Sequence, residues 1–304
     1  MDFRRELESL LAQIPAGRIA WCGDVARALG DVRASAAVFR FLREHPDVAG
    51  GHRVVTQGGR AAVDGGARVL RREGWRDDAR PFADFRGTEP LAALRAEQLR
   101  IAAKASRRNG FRMVRTVGGV DVAYANGRGF ASLVVVDPDG SVEAEVLATR
   151  EVDFPYIPTY LAYREFPLIE AAFRRLREPP TVLLVDGHGR LHPARCGLAC
   201  MVGVQLDVPT IGVAKSPLVG IPERRPNVGE AVPVRYNGEI LGYALRATAS
   251  TKPLYVSTGH RVALATAVRI VRGLCRTGGP EPLRLADAHA DNWKRRTKEK
   301  RKKF

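Results

Sequence analysis

The stretch from Thr181 to Arg195, TVLLVDGHGRLHPAR, narrows the folds open to this chain more than any other. Thr181 to Val185 is a β-branched and apolar run without alternation, the pattern of a strand covered on both faces. It ends on a carboxylate. Asp186 is followed by Gly187, His188 and Gly189, so the backbone can turn tightly beside a small ligand, with the imidazoles of His188 and His192 within reach. An acid at the tip of a buried strand suits a hard divalent cation such as Mg²⁺, which prefers oxygen ligands and takes few of them from protein. A cap for the next helix suits it equally, and the stretch alone leaves the two readings even.

The 304 residues allow two domains, one of ordinary size and one small. No run reaches eighteen apolar residues, and MDFRRELESLL is a charged amphipathic start rather than a signal peptide. A cytoplasmic monomer without membrane contact is expected. The four cysteines, at 22, 196, 200 and 275, form no paired framework. His192, Cys196 and Cys200 fall at helical spacing, but a zinc site would need a fourth ligand that is not evident, and small buried cysteines are the plainer reading. The formal charge of +16 is uneven: residues 1–89 carry 15 Lys+Arg against 13 Asp+Glu, whereas residues 290–304 carry 8 against 2. The excess therefore lies in the larger domain and the tail, which points to a polyanionic partner, nucleic acid before membrane.

Residues 4–13 have helical apolar spacing, ended by Ile14-Pro15-Ala16-Gly17. A short helix starting at Asp24 and stopped by Gly30, then a second helix in ASAAVFRFLREHP, read as a helix-turn-helix. GGHRVVTQGGRAAV supplies two short strands around a Gly-Gly turn, a wing. The segment resembles the DNA-binding domain of the O6-alkylguanine-DNA alkyltransferases and alkyltransferase-like proteins, through Ile14 to Arg18, Gly23-Asp24-Val25-Ala26, Ala37-Val38, His52-Arg53-Val54-Val55 and Leu70 to Gly74. Its departures are as informative. The family's acceptor Cys position holds Gly51, its Tyr before Gly-Asp-Val-Ala is Cys22, and its finger Arg falls at Ser35 or Ala36. Without a thiolate nothing can accept an alkyl group. Residues 1–75 are thus expected to be a winged DNA-docking module, a purely structural role being the alternative; Arg33, Arg40 and Arg43 would be its phosphate contacts, each read as solvated surface when taken alone, and residues 76–89 are a linker.

Helix 90–108 is expected to bury 91, 94, 99 and 102. Asp121 lies in a strand-like run, and a hairpin follows around Pro138-Asp139-Gly140. If the strands of Asp121 and Asp186 are neighbours, their carboxylates make a divalent-metal site. Pro155 and Pro158 bracket Tyr156-Ile157, stiffening a loop with an aromatic and an aliphatic tip; it reads either as a wedge for unstacking a base or as a loop packed on the core. Glu165 near a helix start would be unremarkable if exposed. Lys215 ends a buried strand, Thr210 to Ala214, and needs a partner there. Asp287 is a further acid. Residues 292–304 are expected to be disordered and to contact phosphates. An α/β sheet with acids at strand ends and a basic surface is, in outline, a metal-dependent phosphodiester hydrolase.

Residues 90–289 closely resemble endonuclease V, a ribonuclease H-like nuclease acting on deaminated adenine. The resemblance rests on Gly119 to Val122, Pro155 to Pro158, Tyr163 to Pro167, Val185 to Gly189, His192-Pro193 with Arg195, Val208 to Lys215, Thr258 to Arg261 and Ala286 to Ala288. It implies a ribonuclease H-like mixed sheet with flanking helices. It implies that Asp121 and Asp186 hold Mg²⁺ or Mn²⁺, that Glu165 is a further metal-site or base-like carboxylate, and that Asp287 contributes. Lys215 would orient the attacking water or stabilise the phosphate, with His192 and His260 around the scissile bond. Tyr156 and its prolines would open the strand, and Gly187, His188 and Gly189 would line the pocket for a flipped hypoxanthine. The implied cut falls at the second phosphodiester 3′ of deoxyinosine in DNA, leaving 3′-hydroxyl and 5′-phosphate ends. The alternatives are a non-enzymatic DNA-lesion sensor and an endoribonuclease on inosine-containing RNA.

Overall fold

The computed structural model describes residues 1–76, 78–87, 89–249, 252–276 and 278–301, the last four by backbone alone. They fall into two compact units: Met1–Glu97 with Asp153–Tyr160, and Gln98–Val152 with the chain from Leu161 on.

In the first unit, α1 (Phe3–Leu11) opens on Asp2, whose carboxylate accepts the Arg5 N–H, and buries Phe3, Leu7, Leu10 and Leu11 along one face. The strand β1 (Ala20–Trp21) leads into α2 (Cys22–Ala28), and α3 (Ser35–Glu44) buries Ala37, Val38, Phe41 and Leu42. Asp31 forms the turn between these helices; its carboxylate accepts the Arg33 N–H at the start of a 3₁₀ turn, Val32–Ala34. The helix-turn-helix is therefore present, but the wing is not the expected pair of strands. β2 (Val54–Val55) pairs in parallel with β1, and only a single bridge joins Val55 to Ala61. Residues 56–60 close too tightly to pair further, Thr56 N–H donating to the Arg60 carbonyl and Gly59 N–H to that of Thr56. The helix α4 (Gly66–Arg72) follows. Just past its end, Glu73 accepts from the Arg53 guanidinium at 2.7 and 2.9 Å, from the His52 ring at 2.9 Å and from the Gly17 N–H at 3.1 Å. The described part of 76–89 has no helix or strand but is pinned to its own unit, Phe82 N–H to the Ile19 carbonyl and Arg86 N–H to the Gln13 side chain.

The helix α5 (Pro90–Lys104) spans the division between the units. Its buried positions are Leu91, Gln98 and Ile101, which share one helical face; Leu99, expected inside, is 55 % exposed because it lies a residue out of phase with that face.

The second unit is built on a nine-stranded mixed sheet. Its elements are β3 (Val117–Ala125), β4 (Arg128–Val136), β5 (Val142–Glu151), α6 (Leu161–Phe173), β6 (Val182–Asp186), α7 (Leu198–Leu206), β7 (Thr210–Ala214), β8 (Ile221–Pro222), β9 (Glu230–Tyr236), β10 (Glu239–Arg246), β11 (Leu254–His260), α8 (Leu264–Leu274) and α9 (Glu281–Arg301). The strand order is β5-β4-β3-β6-β7-β11-β10-β9-β8; β3-β6 and β6-β7 are parallel and the remaining pairs antiparallel. This is the α/β sheet that the apolar runs predict. Val182 to Val185 are fully buried because both faces are covered. Val120, Leu183 and Val185 pack with Leu168, Ile169, Ala199 and Val202 of α6 and α7, while Val182, Leu184 and Val213 pack with Val268 and Val271 of α8 and Leu283 of α9.

The tail departs from expectation. Residues 292–301, read as disordered from composition, continue α9, helped by acid-base pairs one turn apart, Glu281 with Arg284 and Asp291 with Lys294. The rest of that expectation, residues 302–304, lies outside the described residues. No described helix is long and apolar enough to cross a membrane.

Candidate active site

Register places the acids. β3 and β6 run parallel with Val120 opposite Val185, so the next residues, Asp121 and Asp186, stand on neighbouring strands, which lie roughly 4.8 Å apart. Alternation puts Asp186 on the face of Val182 and Leu184, and Asp121 on that of Val117 and Gly119, the face covered by α8 and α9. Gly119 makes the α9 contact possible, since a β-carbon there would collide with the Pro282 backbone. α9 thereby brings the Asp287 charge close enough to add to the upward pull on the Asp121 carboxyl. Glu165, from α6, is the fourth carboxylate. It is only 8 % exposed, not the solvated surface acid its position would ordinarily be, and the Tyr124 hydroxyl donates to it at 3.0 Å. The Arg164 guanidinium lies 4.3 Å above the Tyr124 ring.

Burial, then the charge of Asp186, pushes the Asp121 carboxyl up to about 7. Burial likewise pushes Glu165 up to about 8, against the pull of its Tyr124 hydrogen bond, with Asp121 and Asp186 adding to the rise. Lys215 is the counter-charge. Its ammonium donates to Asp186 at 3.1 Å, and the Asp186 charge holds its pKa above the ordinary lysine value. Although it follows a fully buried strand, its side chain is 75 % exposed, so its partner is not compensating for burial. An open cleft of about 100 Å³ adjoins Asp186, Lys215 and Asp287, with Leu254, Leu283 and Arg284 also on its border. It opens Asp186, Asp287 and the Lys215 ammonium to a phosphate.

The donor set, four carboxylates and no thiolate, fits Mg²⁺ or Mn²⁺. Among the described residues no three His, Cys, Asp or Glu side chains already converge to cage an ion, and this includes His192, Cys196 and Cys200. The Cys200 thiol is fully buried and pushed up to about 12, as suits a small core residue.

The turn after Asp186 is more tightly packed than expected. Gly189 leaves no room for a side chain: a β-carbon there would strike the Thr258 carbonyl, and its N–H donates to the Ser257 hydroxyl at 2.9 Å. Its lack of a side chain serves close approach to β11. His188 donates from Nε2 to the Ser216 carbonyl at 2.8 Å, joining this turn to the residue after Lys215. His192 is 2 % exposed and its Nδ1 accepts the Ala194 N–H within the same turn. His260 is at the wrong end of the sheet. It pairs with Thr210 at the start of β7, about 16 Å from Lys215 at the ordinary strand rise. There it accepts the Ser106 N–H and lies 3.8 Å from Asp207. Its motif fixed the residue but not the end of the strand.

In the first unit Tyr156 is 50 % exposed, whereas Ile157 is fully buried and Phe154 nearly so. The loop thus presents one aromatic tip, not the aromatic and aliphatic pair expected. Gly51 is buried with Leu42 and Val63 filling the space beside it, and burial pushes the Cys22 thiol up to about 11, so neither position offers a nucleophile. Arg33 is not free for phosphate, because its guanidinium is held by Asp31. Arg40 and Arg43 are exposed on α3, and Arg60 and Arg43 flank the Phe39 ring at 5.5 and 5.9 Å. Tyr124 was not legible as a site residue, since nothing in the sequence pairs its side of β3 with α6.

Carboxylates on neighbouring parallel strands, with a lysine beside them at an open cleft, give the outline of a phosphodiester hydrolase. The family model for Endonuclease V matches residues 97–288, and that for the DNA-binding domain of 6-O-methylguanine DNA methyltransferase matches residues 2–76. The Endonuclease V of Roseiflexus castenholzii is 42 % identical over 214 residues, 69 % of this chain and 96 % of that protein. Crystallised human ENDOV is 36 % identical with a TM-score of 0.63, covering 68 % of this chain and 99 % of that one. The Ciona intestinalis Endonuclease V, crystallised with DNA containing an inosine followed by a ribo-adenosine, is 31 % identical with a TM-score of 0.62, covering 70 % and 99 %. The chain belongs to the endonuclease V family. It is an endonuclease, a hydrolase acting on DNA, with an added N-terminal DNA-binding domain.

Proposed function

We propose that this chain hydrolyses the second phosphodiester 3′ of deoxyinosine in DNA, with Asp121 and Asp186 holding Mg²⁺ or Mn²⁺ and Glu165 and Asp287 completing the oxygen donors. The observation that carries the reading is the placement of Asp121 and Asp186 side by side on parallel strands with Lys215 on Asp186. The cation, when bound, supplies an activated water and positive charge for the phosphate. Lys215 exchanges its Asp186 partner for a phosphate oxygen or orients the water, as its exposed stem permits. Tyr124 holds Glu165 in one orientation. His188, fixed by Ser216, borders the flipped base with Gly187, and Tyr156 enters the stack that the base leaves. Arg40, Arg43 and Arg60 meet DNA phosphates.

The test is single-turnover cleavage of an inosine-containing oligonucleotide with Mg²⁺. Lys215→Ala should lose about 10²–10³-fold in turnover, the scale for removing one group that stabilises transition-state charge, with affinity within a few-fold. A loss wholly in binding would contradict its role. Inosine-containing RNA is a second reading, favoured by the ribo-adenosine beside inosine in the Ciona complex. Rates on DNA and RNA of one sequence decide between them, because the 2′-hydroxyl is the difference presented to the site.

A further inference from the structure

A wedge works only if it is stiffer than the stack it enters, since intercalation pushes back on the loop that carries it. Prolines fix the φ angles at 155 and 158, but a loop also needs its two ends held. Residues 153–160 lie between strands and helices of the nuclease in sequence, yet they belong to the first unit. Both of their ends are anchored there. At the near end the Phe154 ring meets the edge of Phe3 at 6.2 Å, and Phe3 meets Phe41 of α3 at 5.1 Å. At the far end the fully buried Tyr160 donates its hydroxyl to Asp31 at 2.7 Å, and the Arg95 guanidinium lies 5.9 Å over its ring. Asp31 is itself immobilised in the helix-turn-helix turn by the Arg33 backbone N–H and guanidinium. Between the anchors Ile157 is buried, the Tyr160 N–H closes a turn on its carbonyl, and Tyr156 is the half-exposed aromatic, with Pro158 exposed beside it.

We infer that the helix-turn-helix module is the frame of the strand-opening loop, with Asp31 and Tyr160 as positioning residues that hold Tyr156 rigid against the DNA stack. This goes beyond docking. It rests on the wedge role of Tyr156 and gives a module without acceptor thiol or finger arginine a part in opening the strand. Its consequence is selective: loosening the frame should impair the opening of duplex DNA and spare single strands, in which the base is already free.

The experiment uses the full chain and two inosine substrates, duplex and single-stranded. A 2-aminopurine next to the inosine reports unstacking when the complex is formed in Ca²⁺. Tyr160→Phe removes one oxygen and leaves the ring packed. It should cut single-turnover cleavage of the duplex about tenfold and lower the 2-aminopurine signal, with single-strand cleavage within twofold. Asp31→Asn keeps an acceptor for the hydroxyl and should retain more duplex activity than Asp31→Ala. Tyr156→Ala is the reference. If it lowers duplex cleavage and the signal while Tyr160→Phe and Asp31→Ala change neither, the frame is wrong and the wedge stands. If Tyr156→Ala changes neither, the wedge reading fails and the inference with it. Equal losses on duplex and single strand would also overturn the frame, because they would show a general defect.

Discussion

Tyr124→Phe isolates an interaction that joins two elements and leaves the carboxylates intact. Losing the hydroxyl removes one hydrogen bond to a buried Glu165, worth about 1–1.5 kcal/mol, so turnover on inosine DNA should fall about tenfold with affinity unchanged. Single-turnover rates at saturating enzyme measure it; an unchanged rate would mean that Glu165 needs no orienting. At this scale the sequence shows Asp186 and Asp121 well, because an acid within a β-branched, apolar run departs from the composition of a core strand. Glu165 is hidden, since nothing local says that this turn of α6 faces inward. His260 misleads for the opposite reason. Its motif is complete, but antiparallel pairing of β11 with β7 carries it away from Lys215.

Among the elements, the N-terminal unit is held at the end of α4 by Glu73, which ties together the loops of Gly17 and of His52-Arg53. The Arg53 hydrogen bonds, with help from Gly17 and His52, pull the Glu73 carboxyl down to about 2 from an ordinary 4.5. A carboxyl whose folded pKa is depressed stabilises fully above its unfolded value and loses that contribution as pH falls towards its folded one. The advantage of wild type over Glu73→Gln in chemical denaturation, followed through Trp21 and Trp75, should therefore be constant above about pH 4.5 and shrink between 4.5 and 2. Near neutral pH, Glu73→Ala should cost about 2–3 kcal/mol, the scale of removing charged hydrogen bonds from one partly buried group. An advantage that grows on acidification would contradict the assigned clamp. The helices and central strands were legible from periodicity and run length. The wing was not, because two-residue strands carry no period, and β2 takes its partner from β1, more than thirty residues earlier. The phase of α5 is not legible, because adjacent Gln98 and Leu99 do not say which is inside, and it is Gln98 that is buried.

For the whole molecule the net charge of +16 governs encounter with DNA, and α9 carries part of it to the C-terminus. Replacing Lys294, Arg295, Arg296, Lys298, Lys300, Arg301, Lys302 and Lys303 by Gln should flatten the slope of log affinity against log salt, by roughly 0.9 for each phosphate that is no longer neutralised, while cleavage at low salt persists. Abolished low-salt cleavage would instead make this segment part of the catalytic unit. Two-domain organisation was legible from the break in periodicity near residue 80 and from the uneven charge. The assignment of residues 153–160 to the first unit was not, because it depends on partners far apart in sequence. The proposed reading makes Asp121 and Asp186 the catalytic metal ligands of a deoxyinosine endonuclease. Its most direct test is cleavage of an inosine oligonucleotide by wild type, Asp121→Ala and Asp186→Ala in Mg²⁺ and in Mn²⁺. Wild type alone should make one cut, at the second phosphodiester 3′ of inosine, with both variants still binding the DNA. Cleavage by either variant at the wild-type rate, or no cleavage by wild type in either metal, would contradict it.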